Sequence, residues 1–332
     1  MYLRFAAAVA ALGAAAAAVV VAVLLLRSVP GPAASTAAST APAAPAPGTG
    51  GGNGSGRGTV EGGRIATPDF PGFPSPPPGA VVLAQEAGTR ALALAVEPGL
   101  ARVSILRLSG EGQSGLDVSL RFGQREPVSA DPCGPGCYQV RPKGLPPSLV
   151  TVRIGRTPYR FDLPKLPAPG ATAIVARAAD TWNSLRTLVW RERLASSPSD
   201  VLVTEYRAVA PHSLSYTIEG ASAAVIIGGT RWDRPSPTGR WASSPQNPPL
   251  RQPQPFWHGV TAAHILGTAR VGSHAVWRVS FFDPSTPSWF EASIDKKTYR
   301  TLTLDMIAAA HFMHHVYGPF DAPIELHPPA TT

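Results

Sequence analysis

From Ala80 to Tyr317 the apolar residues recur mainly with a period of two. Only one stretch, Thr172 to Leu188, keeps a helical period, with Ile174, Ala178, Trp182 and Leu185 on one face. Helical bundles and doubly wound α/β sheets need repeated helices, so the pattern excludes both. It leaves antiparallel sheets, which tolerate short polar turns and a single covering helix.

The residues before Ala80 do not belong to that pattern. An unbroken apolar run of 22 residues extends from Phe5 to Leu26, between Arg4 and Arg27. At about 1.5 Å per residue it is long enough to cross a hydrocarbon layer of about 30 Å. Its length predicts an uncleaved signal anchor with the N-terminus inside and the bulk exported. The alternative is a cleaved secretory signal, with Ala33-Ala34-Ser35 as a site of small residues. Residues 30–79 are rich in Ala, Pro, Gly and Ser, a composition that cannot bury enough apolar surface to offset its ordering entropy. They read as a stalk.

Residues 80–164 read as a small Ig-like β-sandwich. Leu92, Leu94 and Val96 alternate with alanines; further runs are Val103–Leu108, Leu116–Phe122, Tyr138–Val140, Leu149–Ile154 and Tyr159–Leu163. Both cysteines of the chain, Cys133 and Cys137, flank a Gly-Pro-Gly turn here. In an exported domain they are read as a local disulfide, with a redox pair and a metal site as rivals. This segment has no His or Met to complete a metal site.

Residues 165–171 form a Pro-rich linker. Residues 172–325 then read as one helix followed by eight to ten antiparallel strands, interrupted by a Pro/Gln stretch from Pro245 to Pro255. A tail, 326–332, ends the chain. The second unit resembles the LolA/LppX-like exported lipid carriers. The resemblance is carried by the opening helix, by Ala224-Val-Ile-Ile-Gly-Gly-Thr-Arg-Trp-Asp-Arg234 with Trp241, by Trp289-Phe-Glu-Ala-Ser-Ile-Asp295 running into Lys296–Met306, and by His311-Phe-Met-His-His-Val-Tyr317-Gly-Pro-Phe320-Asp-Ala-Pro323. It implies a half-barrel closed by helices, with an apolar cavity for acyl chains. The lipid-modified Cys common in LppX-type members is absent. More loosely, the first unit resembles exported sandwiches of the YtkA and CopC type, found beside copper-resistance D-type membrane modules, through Cys133-Gly-Pro-Gly-Cys137-Tyr138. The His- and Met-based copper sites of CopC-type proteins have no counterpart in this segment.

The chemistry-bearing residues are few. No nucleophile elbow, His-Glu-x-x-His or Walker loop occurs. In an extended strand His311, Met313 and His315 share a face, and imidazole with thioether suits copper; the plain alternative is a core strand. Asp283, Asp295 and Asp305 near strand ends read as solvated carboxylates. All seven tryptophans lie beyond residue 171, and Trp190, Val203, Trp277, Val279 and Phe281 are candidates to line the cavity. The net charge of +8 is spread as +2, +4 and +2 over residues 1–79, 80–171 and 172–332, without a basic block, so nucleic acid is not expected as a partner.

The expected fold class is mainly β, with one N-terminal transmembrane helix (1–29), the sandwich, and a LolA-like α+β half-barrel. The expected function is non-enzymatic: a membrane-anchored, extracytoplasmic protein that binds a lipid or other apolar ligand, with an envelope membrane protein as a possible partner. The first alternative is a copper-handling accessory using the last strand, copper being the one cofactor considered. The second is a structural or interaction module with a filled cavity.

Overall fold

The computed structural model describes residues 75–330, with 145, 286 and 310 excepted. The apolar run from Phe5 to Leu26 and the stalk up to residue 74 lie outside the described residues. Among the described residues no helix is long and apolar enough to cross a membrane.

Two antiparallel sheets make the sandwich. One has the order β1 (Val81–Glu86), β2 (Arg90–Glu97), β3 (Leu100–Arg107), β7 (Cys137–Val140), β6 (Asp131–Gly134). The other has the order β5 (Val128–Ser129), β4 (Val118–Phe122), β8 (Leu149–Ile154), β9 (Thr157–Asp162). Between them lie Leu92, Leu94, Val96, Val103, Ile105 and Leu120, all fully buried. Cys133 and Cys137 are joined in a disulfide across the β6–β7 pair. Glycine is required beside it. A Cβ on Gly112 would meet the Pro135 carbonyl oxygen at 2.3 Å, and Gly136 has φ +65° and the Gly112 Cα at 2.5 Å from its own Cβ position.

The alanines that alternate with Leu92 and Leu94 do not face solvent. Ala91, Ala93 and Ala95, with Ala80 and Val82, pack on Ala195, Ala262, Phe282, Trp289 and Phe312 of the second unit. Small side chains let one sheet lie closely on the other. β1 thus has a neighbour on each face: Val81 and Leu83 enter the sandwich core, and Val82 enters this interface. The linker is also tied down, because Ala171 N donates to Ala263 O at 2.9 Å and Ile265 N to Pro169 O at 2.8 Å.

The helix of the second unit, α1 (Thr172–Ser184), stops short of Leu188, since Leu185 is already extended. Its buried face carries Val175, Ala178 and Trp182, and Ile174 packs, partly buried, against the same core. Ten strands were the upper expectation; eleven form one antiparallel sheet. In sheet order they are β15 (Ala242–Pro245), β14 (Thr230–Arg234), β13 (Ala223–Ile227), β12 (Ser213–Ile218), β11 (Asp200–Val209), β10 (Thr187–Ser197), β20 (His311–Phe320), β19 (Thr301–Ala308), β18 (Ser288–Asp295), β17 (His274–Asp283) and β16 (Thr261–Val271). β13 ends at Ile227 and folds back at Gly228-Gly229 into β14, and the edge strand β15 follows only at Ala242. Laid flat, eleven strands would span about 48 Å, whereas a helix of 13 residues is only about 20 Å long. Residues of β10, β11, β12, β13, β17, β18, β19 and β20 nevertheless share one core with α1, so the sheet curls around it.

Candidate functional site

The concave face is aromatic because register places aromatic positions side by side. Tyr317 pairs with Trp190, Trp190 with Tyr206, and Tyr206 with Tyr216, so one row crosses four strands. Trp190 and Tyr206 stack at 4.6 Å with a 5° interplanar angle, and Phe281 stacks on Phe290 at 4.9 Å. In the next row Glu192 is opposite His315 on one side and Thr204 on the other.

That second row is polar and buried. Glu192 and His315 are each 1 % exposed. His315 Nε2 and Glu192 Oε2 are 2.8 Å apart, and Tyr206 donates its hydroxyl to Glu192 Oε1 at 3.2 Å. With the Nε2 proton directed at the carboxylate, His315 Nδ1 accepts the Tyr317 hydroxyl at 2.5 Å. Burial, reinforced by the Glu192 carboxylate, holds both the Tyr206 and Tyr317 phenols well above their ordinary pKa. Both therefore remain donors. Farther along the sheet, Arg231 donates to the Tyr216 hydroxyl at 2.8 Å and is clamped by Asp233.

Two covers close this face. The first is α1, whose Trp182 meets Tyr317 edge-on at 4.9 Å and donates its Nε1 hydrogen to Thr301 Oγ1 at 3.2 Å. The second is an irregular strap, residues 246–260, which includes most of the Pro/Gln stretch noted in the sequence. It places Phe256 edge-on over His315 at 4.6 Å and Trp257 against Phe281 at 5.4 Å. Its start is held by Gln246 N to Gly229 O at 2.8 Å, and its end by Asp283, which accepts the His258 and Gly259 N–H groups at 2.7 and 3.1 Å. A cleft of about 460 Å³ lies between the covers; half of its lining is polar, with Asp180 and Asn183 of the helix facing Arg251, Gln254 and His258 of the strap, and Trp257 is its one aromatic wall.

Of the expected lining residues, Trp190, Val279 and Phe281 are buried in this core. Trp277 is half-buried at its margin, against Tyr299 at 5.4 Å. Val203 needs correcting. The inward positions of β11 are Thr204, Tyr206 and Ala208, so Val203 lies on the opposite face, paired with Arg193. His311, Met313 and His315 do fall on one side of β20, but both ring nitrogens of His315 are engaged by Glu192 and Tyr317. Among the described residues no group of three His, Cys, Asp or Glu side chains could hold a metal ion. Asp283 and Asp295 are likewise not solvated. Both are buried and accept backbone N–H groups of the adjoining turns. Only Asp305 of the three is exposed, 2.7 Å from His314 Nδ1.

No protein-family model and no curated protein matches the chain. Among solved structures it is similar to LprF from Mycobacterium bovis, at 10 % identity and a TM-score of 0.37, over 49 % of this chain and 99 % of that one. It is similar to the lipoprotein LppX from Mycobacterium tuberculosis at 10 % identity and a TM-score of 0.37, over 47 % and 97 %. A LolA superfamily protein from Nitrosomonas europaea matches at 8 % identity and a TM-score of 0.24, over 48 % and 96 %. These are the kinds of protein the residue pattern resembles.

Proposed function

We propose that the chain is a non-enzymatic, extracytoplasmic binder of an apolar or lipid-like ligand, taken up between the concave sheet and its two covers. One observation carries the reading: a broad aromatic face is closed by a single helix and an irregular strap, with a cleft of about 460 Å³ between them. Small-molecule sites are concave and mostly apolar, as the aromatic face is beneath its covers. The strap holds its two large aromatics inside by packing, while its hydrogen-bonded ends can act as fixed points. Displacement of Phe256 and Trp257 would open the face without unfolding the sheet. The disulfide supports an oxidising compartment, and anchoring through Phe5–Leu26 belongs to the same reading.

The test is native mass spectrometry of the full chain purified from a bacterial envelope, with solvent extraction of the same sample. A retained lipid mass that extracts into chloroform is the expected result. A bare mass, unchanged after incubation with total envelope lipid, overturns the reading.

A second reading is favoured by Trp257, which is 3 % exposed and packs against Trp182, Phe281 and Phe290. In it the strap fills the interior permanently, and the half-barrel is an interaction module. Trp257→Ala separates the two: it raises lipid retention in the first reading, and only destabilises the fold in the second.

A further inference from the structure

The concave face contains a polar atom without a partner. The indole Nε1–H of Trp190 is buried and makes no hydrogen bond among the described residues, and the residue is only 4 % exposed. An unpaired buried donor is destabilising. A phenylalanine would provide a similar aromatic face to stack on Tyr206 without that cost. Trp182, in the same core, satisfies its own indole on Thr301. Two residues along the same face of β10 lies Glu192, whose carboxylate accepts hydrogen bonds from Tyr206 and His315 and has capacity for about four. An unused donor and an acceptor with spare capacity therefore lie at successive inward positions of one strand. Phe256 of the strap lies over Trp190 and over His315, the partner of Glu192, with its ring 6.4 Å from the first and 4.6 Å from the second.

We infer that Trp190 and Glu192 form the polar end of the ligand site, and that the group they take is a neutral hydroxyl on a long-chain amphiphile. The inference rests on the apolar-ligand reading above, since this end is reached when Phe256 moves off His315. A hydroxyl both accepts and donates, so it can accept from Trp190 and donate to Glu192 at once. A carboxylate or phosphate could accept from the indole, but would set an anion against Glu192 where little water screens it. An ammonium could donate to Glu192, but would leave the indole unpaired.

The experiment titrates the full chain, held in amphipol, with 1-dodecanol, dodecyl methyl ether and dodecanoate. Binding is followed by native mass spectrometry and by the indole N–H resonance of Trp190. The alcohol is expected to bind about tenfold to hundredfold more tightly than the other two, and to shift the Trp190 resonance. Trp190→Phe, which keeps an aromatic ring in the stack, removes the donor that alcohol and ether oxygens both accept from, so it should weaken both while the alcohol keeps the advantage it gains by donating to Glu192. Glu192→Gln should remove the discrimination against dodecanoate. If wild-type protein binds alcohol and ether alike and the Trp190 resonance does not move, the polar-end assignment is overturned while the apolar-ligand reading stands. If dodecanoate binds best, the charge argument is wrong and the assignment falls with it. If none of the three binds, the apolar-ligand reading itself fails.

Discussion

The two cores of this chain are built on different principles. The sandwich core is aliphatic, with Phe122, Phe161 and Tyr138 as its aromatics, and the one phenol is fully served, donating to Gln113 O and accepting from Leu116 N. The half-barrel core is aromatic and encloses a carboxylate, an imidazole, two phenols bonded to them and an unpaired indole. Folding alone explains the first. It does not require the second, because well-packed apolar residues stabilise an interior as well as or better than a buried polar network. Unpaired buried polar atoms occur in both units, at Glu86, Arg102 and Gln113 as well as at Trp190, but among the described residues a buried carboxylate bonded to an imidazole is found in the half-barrel core, which is where the proposed site lies.

The comparison can be broken by experiment. All seven tryptophans lie in the second unit, so their fluorescence reports the half-barrel, whereas far-UV circular dichroism reports both. Glu192→Leu should have the largest effect, a loss of about 2–6 kcal/mol in urea denaturation, because it strands two buried donors, the His315 Nε2–H and the Tyr206 hydroxyl, at about 1–3 kcal/mol each. Replacing His315 by Leu as well should recover most of that loss. If it does not, the network is structural and the contrast between the cores disappears. In the sandwich Leu94→Ala should cost about 2–5 kcal/mol through the cavity it leaves, without a single partner substitution that restores it. Cys133→Ser with Cys137→Ser should cost about 2 kcal/mol, since the closed loop is short. If the tryptophan midpoint moves with the dichroism midpoint, the two units unfold together. The smallest effect is expected in acid. Burial raises the Asp295 carboxyl, but the N–H groups of Thr298 and Lys297, with His274 and the Thr298 hydroxyl, outweigh it and hold the group below its ordinary pKa. A depressed carboxyl contributes stability above its unfolded pKa of about 3.9, and that stability is lost as pH falls through the lower folded value. Asp295→Asn should therefore flatten the acid side of the half-barrel's stability profile and leave the neutral side lower.

Strand alternation made most of the sheet legible, and it failed for physical reasons. Val81-Val82-Leu83 shows no period of two because both faces of β1 are buried, so the strand was invisible as one. Val203 was assigned to the wrong face because Val201, Leu202 and Val203 are all aliphatic. The exposed Glu205 and Arg207 beside buried Tyr206 would have set the parity. Glu192 sits between Arg191 and Arg193 and reads, from the sequence, as part of a solvated run. Its parity with Leu188, Trp190 and Leu194 was the available signal. The strap's role was illegible, since nothing in a Pro/Gln stretch tells which of its residues will turn inward. The YtkA- and CopC-like reading of the first unit rests on its Cys133–Tyr138 segment alone.

β1 has a mechanical consequence. An edge strand is ordinarily the first part of a sheet to peel away, since it is held on one side only. This one is clamped between two interiors, through Val81 and Leu83 on one face and Val82 on the other. A pull applied at Ser75 would meet both at once, so the sandwich and the half-barrel should yield as a single joint, with no slack between them.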